Sequence, residues 1–351
     1  MDAALIWEWV IKSIIILIGG TAGFAYMTLY ERRALARIQV RIGPNRVGPF
    51  GLLQPVADGI KLIFKEELVP ASADKLMFIL APIITVIPAL IITAVVPIGG
   101  TVNLFGRQVS LQLADLNVGV LYIMAVTSVS VYGITLAGWS SNNKYATLGG
   151  LRSTAQMISY EIAMGFCFIV PVILAGSMSL NTIVDAQKDV WYIFLQPGAA
   201  VILFISMLAE TNRAPFDMPE AEQELTAGFH TEYSGMKFAL FYMAEYIKII
   251  GVSMIFATLF LGGYYLPFQN VLENFFAGVP WLTWINVALP YLGPLVLFVK
   301  VILLLFVFIW VRATLPRIRY DRLMAFGWKV TFPLALLSVL LTAAAVLLVG
   351  G

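Results

Sequence analysis

The sequence predicts an all-α protein that crosses a membrane about eight times. Hydrophobic residues make up 60% of the 351-residue chain and charged residues only 12%, and the mean hydropathy is +0.89. A soluble domain carries roughly 25% charged residues, so this low value indicates that most of the surface faces lipid. Eight apolar stretches reach the length that spans a bilayer, roughly 20 residues. They lie at about 6–30, 76–98, 117–139, 154–176, 190–210, 237–261, 290–311 and 327–349.

These spans leave no room for a separate soluble domain, so residues 1–351 are expected to form a single transmembrane domain. Each span should be helical, because lipid offers no hydrogen-bonding partner to exposed backbone groups. The first span begins at once and lacks a small-residue cleavage site. It is therefore interpreted as a retained helix rather than a signal peptide.

The distribution of lysine and arginine predicts the orientation in the membrane. Most of the 22 basic residues fall in the loops after spans one, three, five and seven, whereas the opposite loops hold only Arg107 and Lys188. The basic side is expected to face the cytoplasm of a bacterial cell, with the chain in its inner membrane. Eight spans then put both termini on the non-cytoplasmic side.

A shorter stretch at about 52–66 predicts a helix that lies on the membrane instead of crossing it. The charged residues Asp58, Lys61 and Lys65 fall largely on one face of this stretch. Apolar residues recur at helical spacing on the other face, at Leu52, Leu53, Val56, Ala57, Ile60, Ile63 and Phe64. This pattern is typical of an amphipathic helix at the cytoplasmic interface.

Arginines are concentrated directly after the first span, in a segment from Glu31 to Gly51 that two Gly-Pro pairs interrupt. Basic residues at this place commonly anchor the cytoplasmic end of a helix, and this is our interpretation of Arg33 and Arg37. The Gly-Pro breaks favour a fixed loop shape. For Arg32 and Arg41 we therefore favour a preorganised rim around a headgroup or a docking surface over simple anchoring.

Acidic residues are concentrated after the fifth span, in a segment where Arg213 is the single base. A helix that begins near Pro219 would explain one or two of them, because the N-terminal dipole favours carboxylates. Crowded carboxylates also raise one another's pKa, and we interpret the group as a proton-handling cluster. Its members are Glu210, Asp217, Glu220, Glu222 and Glu224.

Ionisable residues also occur inside predicted spans, where each costs at least ~2.5–3.5 kcal/mol. Glu245 and Lys248 are three residues apart and can form a structural ion pair. We favour a second interpretation, in which Glu161 and Glu245 belong to an internal proton or water path. The lone Lys300 is weaker support for such a path.

Several kinds of site are excluded by composition. Cys167 is the only cysteine and His230 the only histidine, so the chain cannot supply a disulfide, a cysteine metal cage or two imidazole ligands for haem. No P-loop or dinucleotide fingerprint is present. We assign no catalytic residue, no metal site and no bound cofactor to this chain, and we interpret His230 as a loop hydrogen-bonder.

Long segments of the chain resemble one family, the membrane component known as subunit 1, or in bacteria as the H subunit, of the proton-pumping NADH:quinone oxidoreductase, respiratory complex I. The resemblance runs almost end to end. It is carried by residues 31–61, 138–145, 156–161, 214–225, 232–238 and 312–321.

The resemblance implies eight spans and a place where the hydrophilic arm of the enzyme meets the membrane arm. It also implies that the cytoplasmic loops wall a narrow quinone chamber, lined by Arg32, Arg41, Asp58 and Phe229. An acidic path would connect this chamber to the proton-pumping arm. Its members would be Glu161, Glu210, Asp217, Glu220, Glu222, Glu224 and Glu245.

The same resemblance implies the partners of the chain. Quinone would be the substrate, while FMN and iron–sulfur clusters would lie in partner subunits. Hydrophilic quinone-module subunits would sit on the cytoplasmic loops and small membrane subunits would pack laterally in the bilayer. No nucleic acid is expected among the partners.

One departure and two alternatives accompany this interpretation. Some members of the family carry a glutamate in the third span, where this chain reads Thr127-Ser128-Val129-Ser130. If the acidic path uses that position in those members, hydroxyls, water or another carboxylate must serve here, and we carry no residue over to the third span. The alternatives are the equivalent subunit of a membrane-bound hydrogenase or ferredoxin-fed complex, and a stand-alone ion-coupled transporter. The absence of an internal repeat argues against the transporter.

Overall fold

Most of the computed structural model, which describes residues 3–104, 106–218, 228–278 and 283–350, is helical. We number the α-helices along the chain. They are α1 Ala3–Ile38, α2 Gln54–Ile63, α3 Lys75–Ile92, α4 Gly119–Ser140, α5 Lys144–Ala175, α6 Leu180–Asp185, α7 Tyr192–Leu195, α8 Pro197–Glu210, α9 Gly235–Phe260, α10 Gln269–Ala277, α11 Thr283–Thr314, α12 Tyr320–Phe326 and α13 Phe332–Gly350.

Seven helical segments in the described ranges are long and apolar enough to cross a membrane. They are α1, α3, α4, α5, α9, α11 and the segment Tyr320–Leu348, in which the π-helical turn Gly327–Thr331 joins α12 to α13. The shorter apolar helix α8 takes the place of the predicted fifth span, with α7 directly before it. The prediction of an all-α, multi-pass membrane protein with about eight spans is confirmed.

Several helix ends differ from the predicted spans, because a hydropathy profile does not detect the polar side chains that cap a helix. α5 begins well before the predicted 154, since the side chain of Asn143 accepts a hydrogen bond from the backbone N–H of Tyr145 at 2.9 Å. α3 begins where Asp74 accepts from the N–H of Leu76 at 3.1 Å. It ends at Ile92 rather than near 98. The chain then forms an antiparallel hairpin of β1 Thr101–Leu104 and β2 Arg107–Ser110.

The amphipathic helix predicted at 52–66 is α2, which is shorter at each end. Its apolar side chains remain uncovered by the rest of the described chain: Val56, Ile60 and Ile63 are each more than half exposed. A helix with a free apolar face suits the lipid interface. The opposite face of α2 carries Asp58 towards α1.

The main hydrophobic core lies where α5, α8 and α9 pack together around Met164, Phe168, Leu203 and Phe256. A second cluster joins α3 to the segment before α9, where the rings of Phe78 and Tyr233 stack with centroids 4.0 Å apart. The Tyr233 hydroxyl donates to the carbonyl of Phe78 at 3.1 Å, and burial raises the pKa of Tyr233 to about 12. This second cluster fixes the loop that carries Phe229.

The contact between α3 and α4 depends on Gly133. A Cβ atom at this position would lie 2.9 Å from the carbonyl oxygen of Ala81 and 3.0 Å from the backbone nitrogen of Thr85. No real Cβ tolerates backbone atoms at that separation without a shift of the helices.

We predict that Gly133→Ala destabilises the protein by about 1–3 kcal/mol, the usual cost of overpacking. The matched control is Gly198→Ala in α8, where a Cβ meets no atom within 4 Å, and which should change stability by less than about 0.5 kcal/mol. The measurement is the temperature at which half of the detergent-solubilised protein aggregates. Equal temperatures for the two variants would contradict the close contact between α3 and α4.

Candidate functional site

An ion pair joins the C-terminal part of α1 to the amphipathic helix. Arg32 Nη1 donates to Asp58 Oδ2 at 2.7 Å, and Gln54 Nε2 donates to the other carboxylate oxygen at 3.2 Å. The Arg32 side chain is half exposed, so the pair lies at a surface rather than in the core. The structure thus brings together two of the four residues predicted to line a quinone chamber.

Next to this ion pair lies a cavity of about 440 Å³ between α1, α2 and α9. Its polar part includes Arg32 and Asp58, together with Thr28 and Lys61. The rest of its wall is largely apolar or aromatic, with Phe24, Leu62, Met236, Phe238, Tyr242 and Tyr246 among its side chains. The cavity can therefore hold a ligand with a polar head and an apolar body.

A smaller and more polar pocket of about 50 Å³ lies on the other side of Tyr242, whose side chain lines both spaces. Its volume suits a few water molecules rather than a large ligand. Three ionisable side chains converge on it, Glu210, Glu245 and Lys248. Phe229 and His230 complete the wall on the side of the loop before α9.

The first buried pair in this pocket consists of Lys248 and Glu210. Lys248 Nζ donates to Glu210 Oε1 at 2.5 Å and to Ser130 Oγ at 3.1 Å. Both charged side chains are buried. The contacts connect α9, the end of α8 and α4 at one point.

Glu161 extends this polar group towards α5. The hydroxyl of Ser128 in α4 donates to Glu161 Oε1, and Glu161 interacts electrostatically with Glu210. Ser128 thus connects α4 to the carboxylate of Glu161 on α5. A hydroxyl can both accept and donate a hydrogen bond, so it can stand in a proton path where a carboxylate is absent.

Arg213 forms a second charged group, from the loop after α8. Its Nε lies 2.6 Å from Glu245 Oε1 and its Nη1 lies 3.4 Å from Glu31 Oε1, while its guanidinium stacks 4.4 Å from the ring centre of Tyr246. Arg312, in the last turn of α11, donates to the same oxygen of Glu31. Four separate parts of the chain thus meet in one buried network.

These partners correct one expectation. Glu245 and Lys248 do not form the predicted i,i+3 ion pair with each other: Glu245 pairs with Arg213 and Lys248 pairs with Glu210. The reason is that the two side chains face different neighbours of α9. Spacing along one helix identifies the face but not the partner that a distant loop supplies.

The remaining predicted residues are distributed as follows. Arg41 is exposed, donates to Gln39 Oε1 at 2.7 Å and does not line the apolar cavity. Phe229 lines the polar pocket, packed edge-on against Phe241 at 5.1 Å between ring centroids. Asp217 is half-buried in the loop that carries Arg213. The predictions for Glu220, Glu222 and Glu224 lie outside the described residues.

Sequence reasoning missed three residues that hold the site together, namely Glu31, Arg312 and Tyr242. Glu31 was visible as the one acid at the start of an arginine-rich segment. Arg312 was visible as a base at the end of a span. Nothing in the sequence distinguished Tyr242 from other residues, because aromatic side chains are common in apolar helices.

Comparisons with known proteins identify the family of this chain. Residues 11–343 match the family model described as NADH dehydrogenase. The NADH-quinone oxidoreductase H subunit of Protochlamydia amoebophila is 51% identical over 319 residues, covering 91% of each chain. One such H subunit of Geobacter metallireducens is 52% identical over 91% of this chain and 90% of its own length. That of Frankia alni is 52% identical over 94% of this chain and 72% of its own length.

Matches of this identity and extent, together with the fold, establish membership. This multi-pass membrane chain belongs to the NADH dehydrogenase family, the family of the H subunits of NADH-quinone oxidoreductases.

Proposed function

We propose that this chain admits quinone and couples its reduction to proton movement, as a membrane subunit of a proton-translocating NADH:quinone oxidoreductase. The observation that supports this most directly is the shared wall at Tyr242. On one side lies an apolar cavity with Arg32 and Asp58 at its polar part, and on the other lies a pocket with Glu210 and Lys248. The cavity proposed to hold a quinone is therefore next to the pocket proposed to handle protons.

The cavity wall matches the chemistry of a quinone. An isoprenoid tail needs an apolar surface, which aromatic side chains from α1 and α9 provide. A quinone head carries two carbonyl oxygens, which accept hydrogen bonds. Arg32 is a donor that already has a fixed position through Asp58, so less side-chain entropy is lost when a ligand binds.

Reduction of quinone to quinol consumes two electrons and two protons, and the proton demand arises beside the acidic pocket. Glu245, Glu210 and Lys248 line one pocket, and Lys248 donates to both Glu210 and Ser130. Glu161, which accepts from Ser128, interacts electrostatically with Glu210. A change of protonation at one carboxylate alters the field at the next, because charges in a low-dielectric interior interact strongly. This series is the part of the acidic path that we propose within the described residues.

Electrons have to come from partner subunits. Iron–sulfur clusters need several cysteine or histidine ligands, and this chain has one of each. We therefore place FMN and the clusters in hydrophilic subunits that dock on the basic loops, with small membrane subunits beside the bundle. The names of the relatives favour NADH over hydrogen or ferredoxin as the electron source.

The orientation follows from the same arrangement. We place the chain in a bacterial inner membrane. Arg32, Asp58 and the basic loops then lie at the cytoplasmic surface, and both termini lie on the non-cytoplasmic side. The amphipathic helix α2 then lies at the cytoplasmic interface, where its exposed apolar face contacts lipid.

The role of Arg32 is tested by Arg32→Ala in the assembled enzyme. Loss of a charge-assisted hydrogen bond costs about 1.5–3 kcal/mol, so the KM for quinone should rise roughly 10- to 100-fold while NADH oxidation with an artificial electron acceptor is unchanged. The matched control is Arg46→Ala, an exposed arginine in the same loop region. An equal KM for both variants would argue against a quinone contact.

The proton path is tested by Glu161→Gln. Glutamine keeps the acceptor for Ser128 and nearly the same shape but cannot release a proton. We expect quinone reductase activity and proton translocation to fall together by on the order of 10-fold or more, in enzyme that assembles normally. The control is Glu273→Gln, a carboxylate on α10 that accepts from Gln269 at 2.7 Å, away from the pocket. Full activity of the Glu161 variant would exclude Glu161 from the path.

A further inference from the structure

A second apolar cavity, of about 420 Å³, lies between α1, α9 and α11. It uses a different face of α1 from the proposed quinone cavity. Gly19, Gly23, Tyr26 and Tyr30 line the second cavity, whereas Phe24, Thr28 and Arg32 line the first. Met254 from α9 and Phe298 and Leu305 from α11 form the opposite wall. The proposed function does not use this space.

The cavity is long and narrow. Its lining on α1 runs from Gly19 to Tyr30, and its lining on α11 runs over the same number of residues, from Pro294 to Leu305. At 1.5 Å per residue this length is roughly 16 Å. This length and the almost wholly apolar wall suit an extended acyl chain.

Two arginines continue the same face of α1 towards the cytoplasmic side. Gly19, Gly23, Tyr26, Tyr30, Arg33 and Arg37 are spaced by three or four residues, so they form one stripe along the helix. The stripe begins in apolar surroundings, passes two tyrosines at intermediate depth and ends in two positive charges.

These two arginines differ from the others around the site. Arg32 pairs with Asp58, Arg213 with Glu245, and Arg312 with Glu31. Within the described ranges no carboxylate lies in ion-pair distance of Arg33, which is half-buried, or of Arg37, which is exposed. Two positive charges without an ion-pair partner in the described ranges therefore follow the apolar crevice along α1, one and two turns beyond Tyr30.

We propose that this crevice binds one acidic phospholipid, with an acyl chain between α1, α9 and α11 and the phosphate on Arg33 and Arg37. Basic pockets between transmembrane helices on the cytoplasmic side are suited to anionic headgroups, and arginine forms two parallel hydrogen bonds to phosphate. Quinone is the less suitable occupant, because its head is uncharged and makes no use of two arginines.

The bound lipid would steady α1. Only 6% of the membrane window of this helix is buried by the rest of the chain, so α1 has few protein contacts to hold its position. The same helix carries Glu31 and Arg32. An acyl chain packed between α1 and α11 fixes the distance between them, and with it the position of the Glu31–Arg312 contact.

The test uses the assembled enzyme, stripped of lipid in detergent and titrated separately with phosphatidylglycerol and phosphatidylcholine. The amount of each phospholipid retained after washing is measured by mass spectrometry, together with retained quinone. Arg33→Ala/Arg37→Ala removes the charges, and Gly19→Phe fills the crevice, since a Cβ at Gly19 meets no atom within 4 Å. Matched controls are Arg46→Ala/Arg322→Ala, two exposed basic residues, and Gly198→Phe in open space on α8.

We expect the native enzyme and both controls to retain about one phosphatidylglycerol in preference to phosphatidylcholine. The double arginine variant should bind phosphatidylglycerol about tenfold more weakly or worse, and Gly19→Phe should retain neither lipid.

Equal retention of the two lipids by the native enzyme would overturn the proposal, as would unchanged retention in the double arginine variant. Loss of quinone instead of lipid from Gly19→Phe would also overturn it, by assigning the crevice to a quinone tail. Because lipid and quinone are measured separately, the result is independent of the proposed quinone cavity. If Gly19→Phe does not assemble, the arginine variant alone decides.

Discussion

The cost of charge in a membrane organises the centre of this protein. Each charge at bilayer depth costs at least about 2.5–3.5 kcal/mol unless it is paired, and removal of one partner from a buried pair costs about 3–5 kcal/mol. Arg213 reduces that cost through its contacts with Glu245 and Glu31, and Lys248 does so through Glu210. Because the partners come from different helices, pairing also fixes how α1, α8, α9 and α11 meet.

The same constraint connects stability to function. Buried ion pairs are often no better for stability than apolar side chains of equal volume, so a bundle that only had to fold would not need them. Here the pairs place carboxylates around a water-sized pocket, one side chain away from a cavity large enough for a quinone. Tyr242 is the boundary between the two. Coupling over such a short distance needs no large movement, only a change of charge in the cavity that the carboxylates sense.

Much of this architecture was predictable from the sequence, and the rest failed for identifiable reasons. Hydropathy identified the bundle, and the spacing of apolar residues identified α2. The charged residues of the network were visible as unusual, but their partners were not: Glu245 and Lys248 suggested each other, whereas Arg213 and Glu210 supply the actual contacts. The motif resemblance assigned both Arg32 and Asp58 to the quinone chamber, and their side chains form a hydrogen bond with each other. It also named Arg41, which lies exposed beside Gln39. Long-range partners depend on loop paths, and no local pattern encodes those.

The most direct test of the account is a double-mutant cycle on Glu210 and Lys248 in the assembled enzyme. Glu210→Gln and Lys248→Met each leave a buried group without its partner, so each should lower thermal stability strongly. The double variant should lose less than the sum of the two, by a coupling energy of about 2 kcal/mol or more, while proton translocation stays low because the carboxylate is gone. Additive losses of stability would contradict the claim that pairing permits these charges to be buried. Recovery of proton translocation in the double variant would contradict the claim that Glu210 carries the coupling.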